Sequence, residues 1–75
     1  MHLYKIFNPD TEDFTVNYAN KPYTVKSGEE SEGYPEVIAT HIAKHLVDKI
    51  MIKKEIPENK EPERNNILST VLFGI

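Results

Sequence analysis

The residue types in this chain best suited to chemistry are histidine and carboxylate. His41 and His45 stand four residues apart. On a helix that spacing stacks two imidazoles one turn apart, as in helical zinc sites. Asp48 lies a further turn along. A metalloprotease arrangement needs a glutamate directly after the first histidine, and position 42 is Ile. His2, the remaining histidine, is remote in sequence. Two histidines flanking an apolar stripe more commonly cover the edge of a core or face a partner. No metal and no cofactor are therefore assigned, with His41 and His45 kept as weak candidates for a metal.

The carboxylates fall into two groups. Asp10, Glu12 and Asp13 lie in a turn, and Glu29, Glu30 and Glu32 in a Gly-bounded loop. A catalytic pair needs burial to drive its two pKa values apart. Both groups are expected to be solvated, serving solubility or an acidic contact surface. Ser27, Ser31 and Ser69 have no nucleophile context. The loop Gly28 to Gly33 has the wrong charge to cradle phosphate. Cysteine is absent, which removes disulfides, thiolate metal sites and cysteine nucleophiles together. The chain is expected not to be an enzyme, with no catalytic residues.

Around these residues the hydrophobic pattern predicts an α+β fold. Leu3 to Phe7 reads as a first strand, and Asn8 to Asp13 as a turn rich in residues that bond their own backbone. Phe14, Val16 and Tyr18 alternate with Thr15 and Asn17, the period of a half-buried strand. Ala19 to Pro22 turns the chain, and Tyr23 to Lys26 alternates again. Such short connections predict a three-stranded antiparallel β-meander. Pro35 is placed to open a helix running to about Ile52. Glu36 suits its positive end, and Lys53 and Lys54 its negative end. Ile38, Ile42, Leu46 and Ile50 recur every four residues, with Ala39 and Ala43 alongside. This stripe is expected to pack on the strand face carrying Phe14, Val16 and Tyr18.

The organisation then reads as a β-β-β-α core over 1–52, a charged proline-containing linker over 53–66, and an apolar docking segment over 67–75. Ile67, Leu68, Val71, Leu72 and Ile75 fall at helical spacing, with Pro62 as a start signal and Gly74 as a stop. Val71, Leu72 and Phe73 also suit a strand, so the end is expected to be a short helix or strand. A chain of 75 residues buries about 60% of its unfolded surface and gains little margin from its core alone. The tail is therefore expected to reach a neighbouring chain, leaving the core folded if it is deleted.

The net charge is −3, from nine basic and twelve acidic residues. Lys44, Lys49, Lys53 and Lys54 form the densest basic group, and Asp48, Glu55 and Glu58 dilute it. Nucleic-acid binding is not expected, because counterion release needs clustered base. The amino terminus has no apolar leader core, and the run from Ile67 to Ile75 is far short of the roughly 20 residues that span a bilayer. A chain made in a cytoplasm with no membrane partner is expected.

One resemblance bears on function. Asn8-Pro9, Asp13-Phe14-Thr15-Val16, Pro22-Tyr23-Thr24-Val25, the Gly/Glu loop, Tyr34-Pro35, Ile38-Ala39 and His41-Ile42-Ala43-Lys44-His45-Leu46 together resemble small virion or head-region accessory proteins of tailed bacteriophages. The similarity spans Tyr4 to Ile50, and its motifs are structural. It implies an accessory structural protein of the phage head or neck, acting by protein–protein binding. It implies assembly in the bacterial host cytoplasm onto a virion, with a capsid or neck protein or copies of itself as partner. Tyr4, Tyr23 and Tyr34 are the candidate contact aromatics, since amphipathic rings suit interfaces. Ile67, Leu68, Val71, Leu72, Phe73 and Ile75 are the candidate docking residues. The alternative is a small acidic inhibitor or regulator of a host protein, its six clustered carboxylates occupying a basic groove.

Overall fold

The structure, a computed structural model, describes residues 2–75. Met1, the first residue of the core expected over 1–52, lies outside them. The fold is α+β, with β1 (Leu3–Ile6), β2 (Phe14–Tyr18), β3 (Lys21–Val25), β4 (Tyr34–Pro35), α1 (Glu36–Lys53), α2 (Glu61–Val71) and β5 (Leu72–Gly74). The expected class is present: a three-stranded antiparallel sheet, one long helix against it, and short elements at the end. The membership of the sheet differs from the meander. β1 is its central strand, flanked by β4 and β5, while β2 and β3 form a separate two-stranded hairpin.

A buried side chain explains the separation. Asn8 is fully buried just after β1. Its Nδ2 donates to the carbonyls of Glu12 and Val25, both at 2.9 Å, and its Oδ1 accepts from the Asp10 amide at 2.9 Å. Its main chain bonds Glu29 and Gly28. These bonds hold the Asn8–Asp13 turn against the end of β3 instead of folding β2 back along β1. Both edges of β1 then go to distant partners, with Tyr4 opposite Tyr34 on one side and opposite Gly74 on the other.

The hairpin turns through Ala19 and Asn20, both at positive φ (52° and 64°). That is the left-handed geometry that matches strand twist in two-residue hairpins. Pro22 lies inside β3, opposite Asn17, rather than in the turn. A hairpin strand with an open edge tolerates it, because no ladder donor is required there.

Pro35 is the residue before α1, with ψ at 152°, paired to Leu3. It closes β4 rather than opening the helix. Ala39, Ile42, Ala43, Leu46, Val47, Ile50 and Met51 are buried along α1. The stripe is broader than the four-residue recurrence suggested, and Ile38 sits at its margin. α1 ends with Glu55 at φ 59°. The Ile56 amide reaches the Met51 carbonyl and the Glu55 amide the Ile52 carbonyl. This is a Schellman closure, which satisfies carbonyls left open by the last turn.

The expected linker is half helix. α2 begins at Glu61 with Pro62 in its first turn, where the missing N–H costs nothing. Its first turn is charged, with Arg64 half-buried against Asp48 and Met51 of α1, and its apolar side begins at Ile67. The docking segment folds back onto its own domain. Val71 is fully buried in the core, Leu68 and Leu72 pack against it, and β5 pairs with β1. No helix of the described residues is long and apolar enough to cross a membrane.

Candidate functional site

The histidines of α1 do come together. Their ring centroids are 4.5 Å apart, and His41 stacks edge-on against Tyr18 at 4.9 Å. His41 Nε2 lies 3.1 Å from the Asn17 carbonyl, so the ring bridges α1 to the hairpin edge. Asp48 instead pairs with Arg64 of α2. No group of three or more metal-capable side chains occurs among the described residues.

The first carboxylate group contains one buried member, against the solvated expectation. The Asp10 side chain is only 5% exposed. Lys53 Nζ sits 2.7 Å from its Oδ1 and 3.2 Å from Glu12 Oε1, while Lys49 Nζ lies 3.7 Å from Asp10 Oδ2. The two lysines project from successive turns of α1 and clamp the turn after β1 to the helix. The hydrogen bond from Lys53 holds the Asp10 carboxyl below the usual carboxylate range, outweighing its burial. The same bond, with that to Glu12, holds the Lys53 ammonium above its usual value. Each shift favours the charged form of its group, as expected for an ion pair that fastens the turn to the helix. The clamp borders a cleft of about 290 Å³ lined by Pro9, Asp10, Thr11, Ile50, Lys53 and Lys54.

Two further acidic side chains and the three serines have partners of their own. Asp13 accepts from the Ser27 amide, and Glu30 pairs with Lys5 at 3.8 Å. Ser27, Ser31 and Ser69 donate to the carbonyls of Asp10, Glu32 and Asn66. Ser31 Oγ also accepts from the Ile6 amide, replacing a missing ladder partner beside β1. None of the three hydroxyls faces a base.

The tyrosines, predicted one by one, converge. Tyr4 and Tyr34 face each other across β1 and β4, and Tyr23 of the hairpin meets Tyr34 edge-to-face with centroids 5.3 Å apart. Tyr4 Oη donates to Glu36, and Lys21 Nζ lies 5.3 Å from the Tyr23 ring centre. Burial, with Glu32 beside it, pushes the Tyr34 hydroxyl above its usual pKa. All three rings are half-buried against the core and join the two sheets in one aromatic seam.

The face of the three-stranded sheet turned away from α1 is the part that sequence reasoning missed. Strand alternation places Tyr4, Ile6 and Leu72 on the core side, leaving Leu3, Lys5 and Phe73 on the other. Leu3 is 37% exposed and Ile75, bonded to the Leu3 carbonyl, is 65% exposed. Gly33 lies beneath their side chains, where an added Cβ would stand 3.0 Å from Ile75 Cδ1 and 3.2 Å from Leu3 Cδ1. Of the expected docking residues, Val71 is core, Ile67, Leu68 and Leu72 are half-buried against it, and Phe73 and Ile75 lie on this outer face. The signal in the sequence was Leu3 at the start of a strand whose Tyr4 and Ile6 face the core.

No protein-family model matches the chain, and neither curated proteins nor solved structures give a match.

Proposed function

We propose that this domain is a non-catalytic binding module that docks on another protein through the outer sheet face and the tyrosine seam beside it. The observation that carries the reading is the one-sidedness of the sheet. α1 covers its inner face, while exposed Leu3 and Ile75 and half-buried Phe73 stand on the outer face, which no element of the described residues covers. Val37 and Ile52 of α1 are also exposed, but Leu3 and Ile75 adjoin each other over Gly33 on the sheet, and such an adjoining apolar pair is suited to burial against a partner. Tyrosines at the rim add area and hydrogen-bonding tips at low entropic cost.

Joined to the resemblance over Tyr4 to Ile50, the module reads as an accessory structural protein of a tailed-phage particle. It would seat on a lattice protein of the head or neck after assembly in the host cytoplasm. The test is quantitative mass spectrometry of purified particles from cells expressing either the wild-type chain or a Leu3→Glu, Ile75→Glu double variant. Stoichiometric incorporation of the wild type and loss of the variant are expected. Particles lacking the wild-type chain would overturn the particle reading.

A further inference from the structure

We infer that this chain pairs with a second copy of itself through the free edge of β5, joining two three-stranded sheets about a two-fold axis at Phe73. The inference does not depend on the particle reading, since two copies would pair in the absence of any particle.

The ladder fixes which groups of β5 are spent. The Ile75 amide bonds the Leu3 carbonyl at 2.9 Å, and the Phe7 amide bonds the Val71 carbonyl at 2.7 Å. In an antiparallel pair these positions alternate with outward-facing ones. Phe73 therefore bonds toward β1, and Leu72 and Gly74 face away from it. The outward Leu72 amide already turns back to the Leu68 carbonyl. This leaves the Gly74 N–H and the Leu72 carbonyl on the open edge, and no backbone partner takes either among the described residues. One donor and one acceptor two residues apart are self-complementary. Two copies run antiparallel would bond Gly74 N–H to Leu72 C=O of the other copy, twice. Phe73 would then lie opposite Phe73 in the central non-hydrogen-bonded pair, where cross-strand side chains come closest.

The other sheet edges carry the features that discourage pairing. β4 contains Pro35 and lies between Glu32 and Glu36, and β3 contains Lys21 and Pro22. The outer side of β2 is engaged by His41 at the Asn17 carbonyl. β5 has no proline, no charge and no covering side-chain bond, and an edge left so is open to strand addition.

Charge favours a second copy as the occupant. The whole stretch Asn65 to Ile75 has no charged residue in a chain that is 28% charged with a net −3. Two identical chains carry the same net −3, and this stretch brings no charged side chain to an interface between them. The exposed residues of α2 here are Asn65, Asn66, Ser69 and Thr70. Asn65 and Asn66 each offer side-chain donor and acceptor and can meet their own kind across a two-fold, while Ser69 and Thr70 donate to the Asn66 carbonyl and offer acceptors.

The test is sedimentation equilibrium of the full chain from about 10 µM to about 1 mM, at fixed salt. A reversible monomer–dimer equilibrium is expected, with a dimer of twice the 8.6 kDa chain mass. Phe73→Lys and Gly74→Pro are each expected to weaken it at least about tenfold with the circular dichroism spectrum retained. Mixing Phe73→Lys with Phe73→Glu should restore pairing as a heterodimer. A wild-type chain that stays monomeric throughout overturns the inference. So does a dimer whose dissociation constant neither substitution moves. Should Gly74→Pro unfold the chain, the Phe73→Lys and Phe73→Glu mixture decides: no recovery of pairing counts against the edge.

Discussion

Replacing Asn8 tests the account of how the hairpin separates from the sheet. Asn8→Ala removes three hydrogen bonds of 2.9 Å at a fully buried position. Each is worth roughly 0.5–1.5 kcal/mol net, so the loss is about 2–4 kcal/mol. The vacated volume adds to that loss if the turn cannot collapse. A domain of 75 residues at roughly 0.05–0.15 kcal/mol per residue has about 4–11 kcal/mol in all. The substitution should therefore lower the midpoint of thermal unfolding by roughly 8–32 °C, at about 4–8 °C per kcal/mol. Asn8→Asp is the sharper case, because an ionised carboxyl cannot donate to the Glu12 and Val25 carbonyls. Its folded-state pKa should be raised above the unfolded value, so its stability deficit should grow as pH rises through the folded pKa and narrow in acid. Thermal and urea unfolding of both variants, followed by circular dichroism at neutral and acid pH, reads these effects. An Asn8→Ala variant within about 0.5 kcal/mol of wild type would refute the claim that this side chain ties the turn to β3.

Three further outcomes follow from particular residues. Glu55 closes α1 at φ 59°, so Glu55→Gly should stabilise the chain by up to about 1 kcal/mol in urea unfolding, and a loss of stability would contradict the Schellman assignment. Asp10 has a depressed pKa, so the stability it contributes is present above its unfolded pKa of about 4 and is lost as pH falls through the lower folded pKa. Asp10→Asn should flatten the acid limb of the stability profile, and an unchanged limb would remove the clamp from the account. Truncation after Asn66 deletes the fully buried Val71 and strand β5, and at roughly 1.5–3 kcal/mol per large buried side chain the shortened chain should unfold outright by circular dichroism.

Two kinds of structure were legible in the residues, and both are local. The alternation in Phe14–Tyr18 marked β2, and the recurrence from Ile38 to Ile50 marked α1, because each period records which side faces the core. The partners of β1 left no such record. β4 is two residues long, too short to carry a period, and β5 lies about seventy positions from β1, at the end of a segment whose spacing also fits a helix. The stretch Glu61–Arg64 looked like linker because the first turn of α2 is charged, and a polar turn has the same composition as a loop. The Asp10 clamp was hidden for a related reason: Lys49 and Lys53 are ordinary charges on a helix face until the turn after β1 is placed beside them. Tyr4, Tyr23 and Tyr34 were each visible as amphipathic rings, but their meeting is a consequence of the β1–β4 register.

That register bears on how folding and binding are related in so small a domain. β5 does two things with opposite faces of one short strand. Its inner side brings Leu72 to the core, next to Val71, and its outer side and edge present Phe73 and unspent backbone. The chain cannot discard the strand to suppress association without losing part of its core. Nor can it bury the strand more deeply on its inner side, since α1 already packs there. What remains adjustable is the chemistry of the outward positions. A lysine or proline there would close the edge at little cost to the fold, yet Phe73 and Gly74 occupy those positions. A protein that functioned alone would gain from such a blocking residue, as its other sheet edges already do. Leaving this one edge neutral and open is consistent with a domain whose stability and function are both completed by contact with another chain.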